Sequence, residues 1–472
     1  MSDRNENLAK NTVLFAIGSI GSKLLQIILV PFYTRVMTDA EFGTADILQA
    51  AVSLLLPVFS LTVYESVFRY AMEKDYDRKA VFSAGAAVTF AGVLFLCICG
   101  IGVSVFSDIE YVWLVAANTA AVAFRTLLSQ YARAIDRTAL FTADNILLTA
   151  CVLVFNIFFI STLDMGINGY MCGYIAANAV SCAFLAVMLR KEISLNTKKI
   201  TKELLKTLLI FSIPLIPNTI CWWVSSFTDR IMITSMISVA ENGLYAAAHK
   251  LPSLLSVVVT VFFQAWQISA NEEFQKKDAA EFYSEIFEQI SSCVFVLASL
   301  LMLFCRPITD IFLGEDYYSS WRYMPVLLLA MTFFAFAQFL GSIYSANKKT
   351  SMAFVTNFIA MVVNVVFNFV FIRAVGTVGA AAATALSYLV LWIVRIFNTR
   401  GIIAVKYKLP QTVASSVLLT LQTVVITACD DQTVVWAVCG ACAAAIIAAN
   451  AKTLAGLVKF ALGMACKILK KS

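Results

Sequence analysis

The chain has 472 residues, of which 60% are hydrophobic and 14% charged, with a mean hydropathy of +0.83 and a formal net charge of +6. These values lie far outside the balance of a soluble domain, and they exclude a long soluble domain. The composition therefore predicts an integral membrane protein.

Apolar runs long enough to cross a bilayer recur from residue 12 almost to the end of the chain. A bilayer core about 30 Å thick needs roughly 20 apolar residues per helix. By this criterion the sequence predicts an all-α polytopic membrane protein with about fourteen transmembrane helices. The predicted spans cover residues 12–35, 45–67, 81–106, 111–131, 141–161, 168–189, 208–228, 242–268, 285–305, 322–346, 352–372, 377–397, 411–428 and 433–451.

Two basic segments are predicted to lie on the membrane surface. The first, residues 190–207, contains the amphipathic stretch "KKITKELLK" and links two halves of the chain. The second, residues 452–472, places lysines on one helical face and apolar side chains on the others, which is typical of an interfacial helix.

The distribution of lysine and arginine predicts that both termini are cytoplasmic. With this orientation, 27 of the 35 basic residues fall in the tail and in connections on the inner side, and five fall in outer connections. This asymmetry follows the positive-inside rule. The net positive charge therefore indicates topology and not nucleic-acid binding, since no basic patch is interleaved with aromatic residues.

An internal repeat predicts that the chain arose by duplication. Asn145 and Asn156 are followed by a pair of glycines spaced like "GING", and Asn357 and Asn368 are followed by the similar "GTVG". The two sets lie 212 residues apart at the asparagines. A second pair of similar stretches is "VPFYTRVMTDAEFG" (30–43) and "FTDRIMITSMISVAENG" (227–243).

If predicted spans 1 to 6 correspond to spans 7 to 12, the two halves share one orientation, because six is an even number. Two such bundles fit a transporter that works by alternating access. The predicted domains are an N-terminal six-helix bundle (1–189), a linker (190–207), a second bundle (208–400), two additional helices (401–451) and a basic tail (452–472).

Cationic residues inside predicted spans are the candidates for substrate binding, because an ion at the bilayer centre costs at least about 2.5 to 3.5 kcal/mol. Lys23 lies near the middle of the first span and shares a polar stripe with Gln26. Arg125, in the fourth span, either contacts an anion or snorkels to the surface. Lys250, just before Pro252, is a third candidate.

Residues at the ends of spans are candidates for the outer rim or gate and for ion coupling. Arg35, Asp229 and Arg230 form the rim set. The possible coupling residues are Asp46, Glu65 and His249, and the carboxylates among them are equally suited to pairing with nearby arginines.

We predict no cofactor, metal or catalytic centre. The sequence has neither a nucleophile elbow nor a phosphate-binding glycine loop, and it contains one histidine. Its twelve cysteines mostly lie in apolar runs without metal-ligand spacing, as small buried hydrophobes do.

Several stretches resemble the bacterial polysaccharide transporter (O-antigen flippase-like) family of the multidrug and oligosaccharidyl-lipid flippase (MATE-like) superfamily. They include "VPFYTRVMTDAEFG", "FSIPLIPNTICWWVSSFTDRIMI", "AENGLYAAAHKLPSLL" and "NVVFNFVFIRAVGTVGAAAATALSYLV". The similarity runs over about residues 8–400. Positions matching the family pattern are Arg35, Gly43, Pro214, Pro217, Asp229, Arg230, Gly243, Lys250, Gly376 and Gly379. His249 departs from the pattern, which usually has an aromatic residue there.

This resemblance implies a V-shaped pair of six-helix bundles in the bacterial cytoplasmic membrane. It implies a flippase that carries an undecaprenyl-diphosphate-linked oligosaccharide to the outer leaflet, for capsule, O-antigen or another surface polysaccharide. Implied partners are the lipid-linked glycan, the bilayer, and a glycan polymerase or other assembly proteins.

Three other functions stay open. A multidrug or toxin cation antiporter of the same superfamily would need buried carboxylates, and a flippase for peptidoglycan or teichoic-acid precursors would share the lipid carrier. A polytopic glycan polymerase or ligase would need a large outer loop, whereas the longest outer connection spans only about residues 306–321.

Overall fold

The computed structural model describes residues 29–73, 75–193, 200–274, 276–347, 350–429 and 431–469. In these residues the chain forms helices and no β-strand, which confirms the predicted all-α fold. Contacts divide the chain into two units, Met1–Phe227 and Thr228–Ser472. The predicted domain bounds stay a prediction.

The first unit begins with helix α1, of which residues 29–36 are described. The helices that follow are α2 (Asp39–Phe59), α3 (Val63–Ala71), α4 (Arg78–Phe106), α5 (Val112–Ala134), α6 (Thr138–Asn156), α7 (Gly166–Met188) and α8 (Lys202–Ser212). A π-helical turn, Ile157–Thr162, extends α6. Helix α9 (Leu215–Met236) contains the boundary between the units.

The second unit continues with ten further elements, one of which, Glu315–Arg322, is a 3-10 helix. The α-helices are α10 (Val239–Ala248), α11 (Lys250–Glu273), α12 (Ala279–Leu303), α13 (Cys305–Phe312), α14 (Met324–Ala346), α15 (Thr350–Val375), α16 (Thr377–Thr399), α17 (Leu409–Ala428) and α18 (Gln432–Leu469).

Twelve helical segments in the described part of the chain are long and apolar enough to cross a membrane. Each overlaps a predicted span, but the predicted total of fourteen is not confirmed. The first predicted span, 12–35, lies mostly outside the described residues. The eighth, 242–268, corresponds to α10 and α11, which are not among the twelve.

The predicted span 45–67 is two helices, because the chain turns between α2 and α3. Pro57 lies inside α2 near its end and has no N–H to donate to the preceding turn. Leu61 and Thr62 then adopt positive φ values of 50° and 48°, which a continuous helix does not allow. The Thr62 hydroxyl donates to the Ser212 carbonyl at 2.7 Å and fixes the turn against the end of α8.

The core of the first unit forms where α3, α4, α5, α7 and α8 meet. Each helix contributes at least one buried side chain; examples are Val67, Phe82, Tyr131, Leu185 and Leu208. Helix α8 therefore packs against the other helices of the first unit through its apolar face.

Helix α14 is the most buried candidate span in the described residues, and aromatic rings surround it. Phe339 stacks on Trp266 of α11 with ring centroids 5.0 Å apart. Phe336 contacts Phe287 of α12 at 5.6 Å and Trp392 of α16 at 5.2 Å. The second unit is therefore built around α14.

Residues of the predicted repeat make a set of contacts in the first unit that has a counterpart in the second unit. Thr38 and Glu41 form a capping box at the start of α2. Gly166 has a φ of 51° just at the start of α7, and a Cβ atom built there would lie 3.0 Å from Glu41 Oε1. Tyr111, immediately before α5, interacts electrostatically with Glu41.

The second unit repeats these contacts. Ser238 caps α10 by accepting a hydrogen bond from the backbone N–H of Glu241 at 3.1 Å. Glu241 accepts hydrogen bonds from Tyr323, immediately before α14, and from Thr377, which follows Gly376 with a φ of 68°; both are 2.7 Å long. Burial, together with the bond to Glu241, raises the pKa of Tyr323. These matched positions support the predicted duplication.

The close approach of α4 to the end of α2 gives a stability prediction. A Cβ atom at Gly92 would lie 1.7 Å from the Phe59 carbonyl oxygen, so backbone must shift to admit a side chain. Gly92→Ala should lower the stability of the detergent-solubilised protein by about 1 to 3 kcal/mol, measured as a fall in its thermal midpoint.

Gly102→Ala on the same helix is the matched control, because nothing lies within 4 Å of a Cβ atom at that position. It should leave the midpoint unchanged or slightly higher, since alanine is the better helix former. An equal loss in both variants would contradict the assigned contact.

Candidate functional site

Two of the predicted substrate residues, Lys23 and Gln26, lie outside the described residues. Arg125 lies in the first unit on α5, whereas Lys250 begins α11 in the second unit and is partly buried. The prediction that these four residues bind substrate stays a prediction.

Arg125 takes part in a buried ion pair that joins three helices. Its Nη2 lies 2.5 Å from Asp144 Oδ2 on α6, and the two side chains are 13% and 0% exposed. Nη2 also donates to Asn145 Oδ1 at 2.7 Å, and Nε donates to Ser181 Oγ on α7 at 3.2 Å. The Ser181 hydroxyl in turn donates to Asp144 Oδ1.

In this geometry the guanidinium of Arg125 meets a carboxylate inside the first unit, and the two charges balance there. The predicted anion contact and the predicted snorkelling of Arg125 both stay predictions. Asp144 was missed as a partner, although its position within the predicted span 141–161 was the available signal.

Arg395 forms the corresponding cluster in the second unit, and the sequence pattern assigned it no role. It lies on α16 and is 6% exposed. Its Nη1 donates to the Ala337 carbonyl on α14 at 2.6 Å, and its Nη2 donates to Asn357 Oδ1 on α15 at 2.9 Å. Nε donates to Thr356 Oγ1 at 3.2 Å. Among the described residues, no carboxylate pairs with Arg395.

The predicted rim residues occupy different environments. Arg35 is exposed at the end of α1. Asp229, on α9, is buried and accepts a hydrogen bond from the Tyr245 hydroxyl at 2.6 Å. Arg230 is partly buried, and its backbone N–H donates to Asp229 Oδ1 at 2.9 Å. Asp229 is therefore held within the second unit.

The possible coupling residues have identified neighbours. His249 lies between α10 and α11, with Nε2 3.8 Å from Asp229 Oδ2 and its ring edge-on to Tyr245 at 4.8 Å. Asp46, on α2, interacts electrostatically with tyrosines of α7, and Glu65, on α3, interacts with Arg133. The structure thus brings Asp229 and His249 together, with Tyr245 as a partner that sequence patterns did not identify.

No group of three or more metal-ligating side chains occurs in the part of the chain that the structure describes. The polar clusters above combine cations, carboxylates, amides and hydroxyls. Such groups can bind an anion or exchange a proton.

The buried ion pair gives a second prediction. Arg125→Ala and Asp144→Ala should each destabilise the protein by about 3 to 5 kcal/mol, because each leaves a buried charge unpaired. The double variant should be destabilised by much less than the sum of the two single losses of stability. The measurement is the thermal midpoint of each variant in detergent.

Arg137 and Glu192 form an exposed pair in the same unit, at 2.7 Å, and provide the control. Arg137→Ala and Glu192→Ala should each lower the stability of the protein by at most about 1 kcal/mol. Additive losses for Arg125 and Asp144 would contradict their coupling.

Comparisons with known proteins assign the chain to a family. The sequence matches the family described as "Polysaccharide biosynthesis protein" over residues 8–267. It also matches the family described as "Lipid II flippase MurJ" over residues 143–443. Each match covers more than half of the chain.

A curated relative and several solved structures are also similar. The "Lsg locus putative protein 1" of Haemophilus influenzae is 24% identical over 265 residues, which are 54% of this chain and 64% of the relative's length. The chain thus spans less than two thirds of that relative.

Similarity to solved structures extends over most of the chain. The lipid II flippase MurJ in an inward closed conformation has a TM-score of 0.69 and 14% identity, covering 95% of this chain and 100% of that chain. An inward-facing multidrug MATE transporter has a TM-score of 0.62 and 13% identity, over 82% and 94%. A MATE transporter of Vibrio cholerae has a TM-score of 0.58 and 14% identity, over 85% and 98%.

The fold is therefore that of MurJ and the MATE transporters, as predicted. These families and folds are flippases and transporters and not catalysts, in agreement with the prediction that the chain is not an enzyme. Two family matches over more than half of the sequence and a shared fold lead to one assignment: the chain belongs to the polysaccharide biosynthesis protein family, within the multidrug and oligosaccharidyl-lipid flippase superfamily.

Proposed function

We propose that the chain is a flippase for an undecaprenyl-diphosphate-linked oligosaccharide, moving it from the inner to the outer leaflet of the bacterial cytoplasmic membrane. The observation that carries this proposal is the family match over residues 8–267, joined to a fold likeness with the lipid II flippase over 95% of the chain. The glycan would serve capsule, O-antigen or another surface polysaccharide. A glycan polymerase or other assembly proteins would receive it.

The chemistry of the substrate explains why cations are needed. A diphosphate cannot cross hydrocarbon without groups that replace its water, and lysine and arginine supply charge-assisted hydrogen bonds. We assign this role first to Lys23 and Gln26, with Lys250 as a second cation. Arg125 would contribute only if the diphosphate competed with Asp144 for its guanidinium.

The rim and coupling assignments come from the positions of these residues near the ends of spans, and the contacts of Asp229 with Tyr245 and His249 support part of them. Arg35, Asp229 and Arg230 are proposed to govern opening at the outer side. The 3.8 Å separation of Asp229 and His249 makes this pair a candidate for proton coupling, alongside Asp46 and Glu65. Both termini are proposed to be cytoplasmic, from the distribution of basic residues.

A peptidoglycan or teichoic-acid precursor is the second candidate cargo, and the match to the lipid II flippase family over residues 143–443 favours it. A cation antiporter for drugs shares the fold. It is the weaker alternative, since neither family match describes drug export. Complementation of a strain depleted of its lipid II flippase separates the two lipid cargoes.

The membrane potential should drive this transport. Because the cell interior is negative, moving a dianion outward down this potential releases about 4 to 5 kcal/mol per 100 mV. In proteoliposomes holding a fluorescent undecaprenyl-diphosphate oligosaccharide, a potassium diffusion potential should accelerate flipping, measured by quenching of the probe in the outer leaflet.

Collapsing the potential with an ionophore at constant pH is the control and should slow the flux. Flux that stays unchanged, but responds to a proton gradient, would instead assign the drive to a coupled proton. Transport of a cationic dye with no flipping of the lipid would contradict the proposed cargo.

Lys23 provides the test of the substrate site. Lys23→Ala should slow flipping about tenfold or more, because a hydrogen bond to a charged group contributes about 1.5 to 3 kcal/mol. Lys23→Arg keeps the charge and should recover most of the rate. The measurement is the same flipping assay on variants matched for folded protein.

Lys277→Ala is the matched control, since Lys277 is an exposed lysine between α11 and α12. Its rate should equal that of the wild type. Normal flipping by Lys23→Ala would remove Lys23 from the proposed site.

A further inference from the structure

A cavity of about 290 Å³ lies at one end of α12, α17 and α18 in the second unit. Its lining includes Arg306, Asp310, Tyr318, Gln432 and Trp436. Ligand pockets for drug-sized molecules have volumes of roughly 300 to 1,000 Å³. The cavity is therefore suited to a smaller group, and none of the functions assigned above uses it.

The position of the cavity along the candidate membrane spans indicates which kind of ligand it can bind. The candidate spans Ala279–Leu303 and Leu409–Ala428 end beside it, and the span Gln432–Gly456 begins there. The ends of spans lie at the level of lipid headgroups. Tyr318 and Trp436 are 40% and 42% exposed, and such aromatic residues are enriched at this level.

Arg306 is the cation of the cavity. Its guanidinium stacks on Trp321, with Cζ 3.9 Å from the ring centroid. Its Nη2 donates to the carbonyls of Ile426 and Cys429 at 3.3 and 3.4 Å, which are long bonds. The stacked ring and the end of α17 thus hold the side chain in place.

One donor of Arg306 has no acceptor in the described part of the chain. Its Nε is buried and has no hydrogen-bond partner among the described residues. No carboxylate in the described part of the chain forms an ion pair with Arg306. A guanidinium without an ion pair, lining a cavity at the level of the headgroups, favours a ligand with anionic oxygens, and guanidinium groups bind phosphates well.

The carboxylate of Asp310 restricts which anionic ligands the cavity can bind. It lies one turn after Arg306 on α13, is exposed, and lines the same cavity. Its carboxylate disfavours a ligand with a second negative charge and favours one with an amine beside its phosphate. A zwitterionic headgroup satisfies both side chains.

We propose that this cavity binds the headgroup of a zwitterionic phospholipid of the ethanolamine type, with its phosphate on Arg306 and its amine facing Asp310. The acyl chains would remain in the bilayer. The bound lipid would stabilise the junction of α12, α13, α17 and α18.

Native mass spectrometry of the delipidated full chain in detergent tests this proposal. Phosphatidylethanolamine should bind the wild type more than phosphatidylglycerol does, and diacylglycerol, which lacks a phosphate, should not bind at the site. Arg306→Gln should reduce the phosphatidylethanolamine-bound fraction about tenfold, the loss expected for a charge-assisted hydrogen bond. Asp310→Asn should remove the preference over phosphatidylglycerol while keeping binding.

Arg322→Gln is the matched control, because Arg322 lies 5.7 Å from the ring of Trp321 but does not line the cavity. It should bind lipid like the wild type. Since Arg306→Gln also removes a contact to α17, each variant's lipid-induced rise in thermal midpoint is compared with its own lipid-free value. This rise should vanish in Arg306→Gln.

Three outcomes would overturn the proposal. One is undiminished phosphatidylethanolamine binding by Arg306→Gln, and another is equal binding of diacylglycerol and phosphatidylethanolamine by the wild type. The third is an equal stabilisation by inorganic phosphate alone, which would assign the site to a free anion and not to a lipid.

Discussion

A buried arginine that bridges three helices is the interaction on which each unit depends. Arg125 joins α5, α6 and α7, and Arg395 joins α14, α15 and α16. An arginine taken out of water must find acceptors for its N–H groups, and leaving them unmet costs more than most single contacts contribute. The three helices are therefore held together because separating them would expose the guanidinium to hydrocarbon.

The two arginine clusters meet the same constraint with different residues. Asn145 and Asn357, which the repeat aligns, each accept a hydrogen bond from the arginine of their own unit. The helix that supplies the arginine differs, as does the neighbouring residue, since the position matching Asp144 is Thr356. The first cluster is consequently charge-balanced, whereas the second holds its cation with a hydroxyl, an amide and a carbonyl.

The sequence predicted what depends on composition and missed what depends on tertiary neighbours. Apolar runs predicted the helices, because hydrocarbon requires internally bonded backbone. The spaced asparagines and glycines predicted a repeat, which the matched contacts of Glu41 and Glu241 support. Leu61 and Thr62 themselves gave no signal of the turn, since neither residue type favours a positive φ. Asp144 was visible inside a span, but only the packing of α5 against α6 pairs it with Arg125.

The space around a cation, and not its charge alone, decides whether it can bind a ligand. Arg306 and Arg395 both lack a carboxylate partner in the described residues, and carbonyl oxygens accept hydrogen bonds from both. At Arg395 the helices close around the guanidinium, because a Cβ atom built on Gly341 would lie 2.6 Å from its Nη1. Arg306, in contrast, lines a cavity, and its Nε has no acceptor among the described residues. The same side-chain chemistry therefore clamps helices at one site and leaves room for a headgroup at the other.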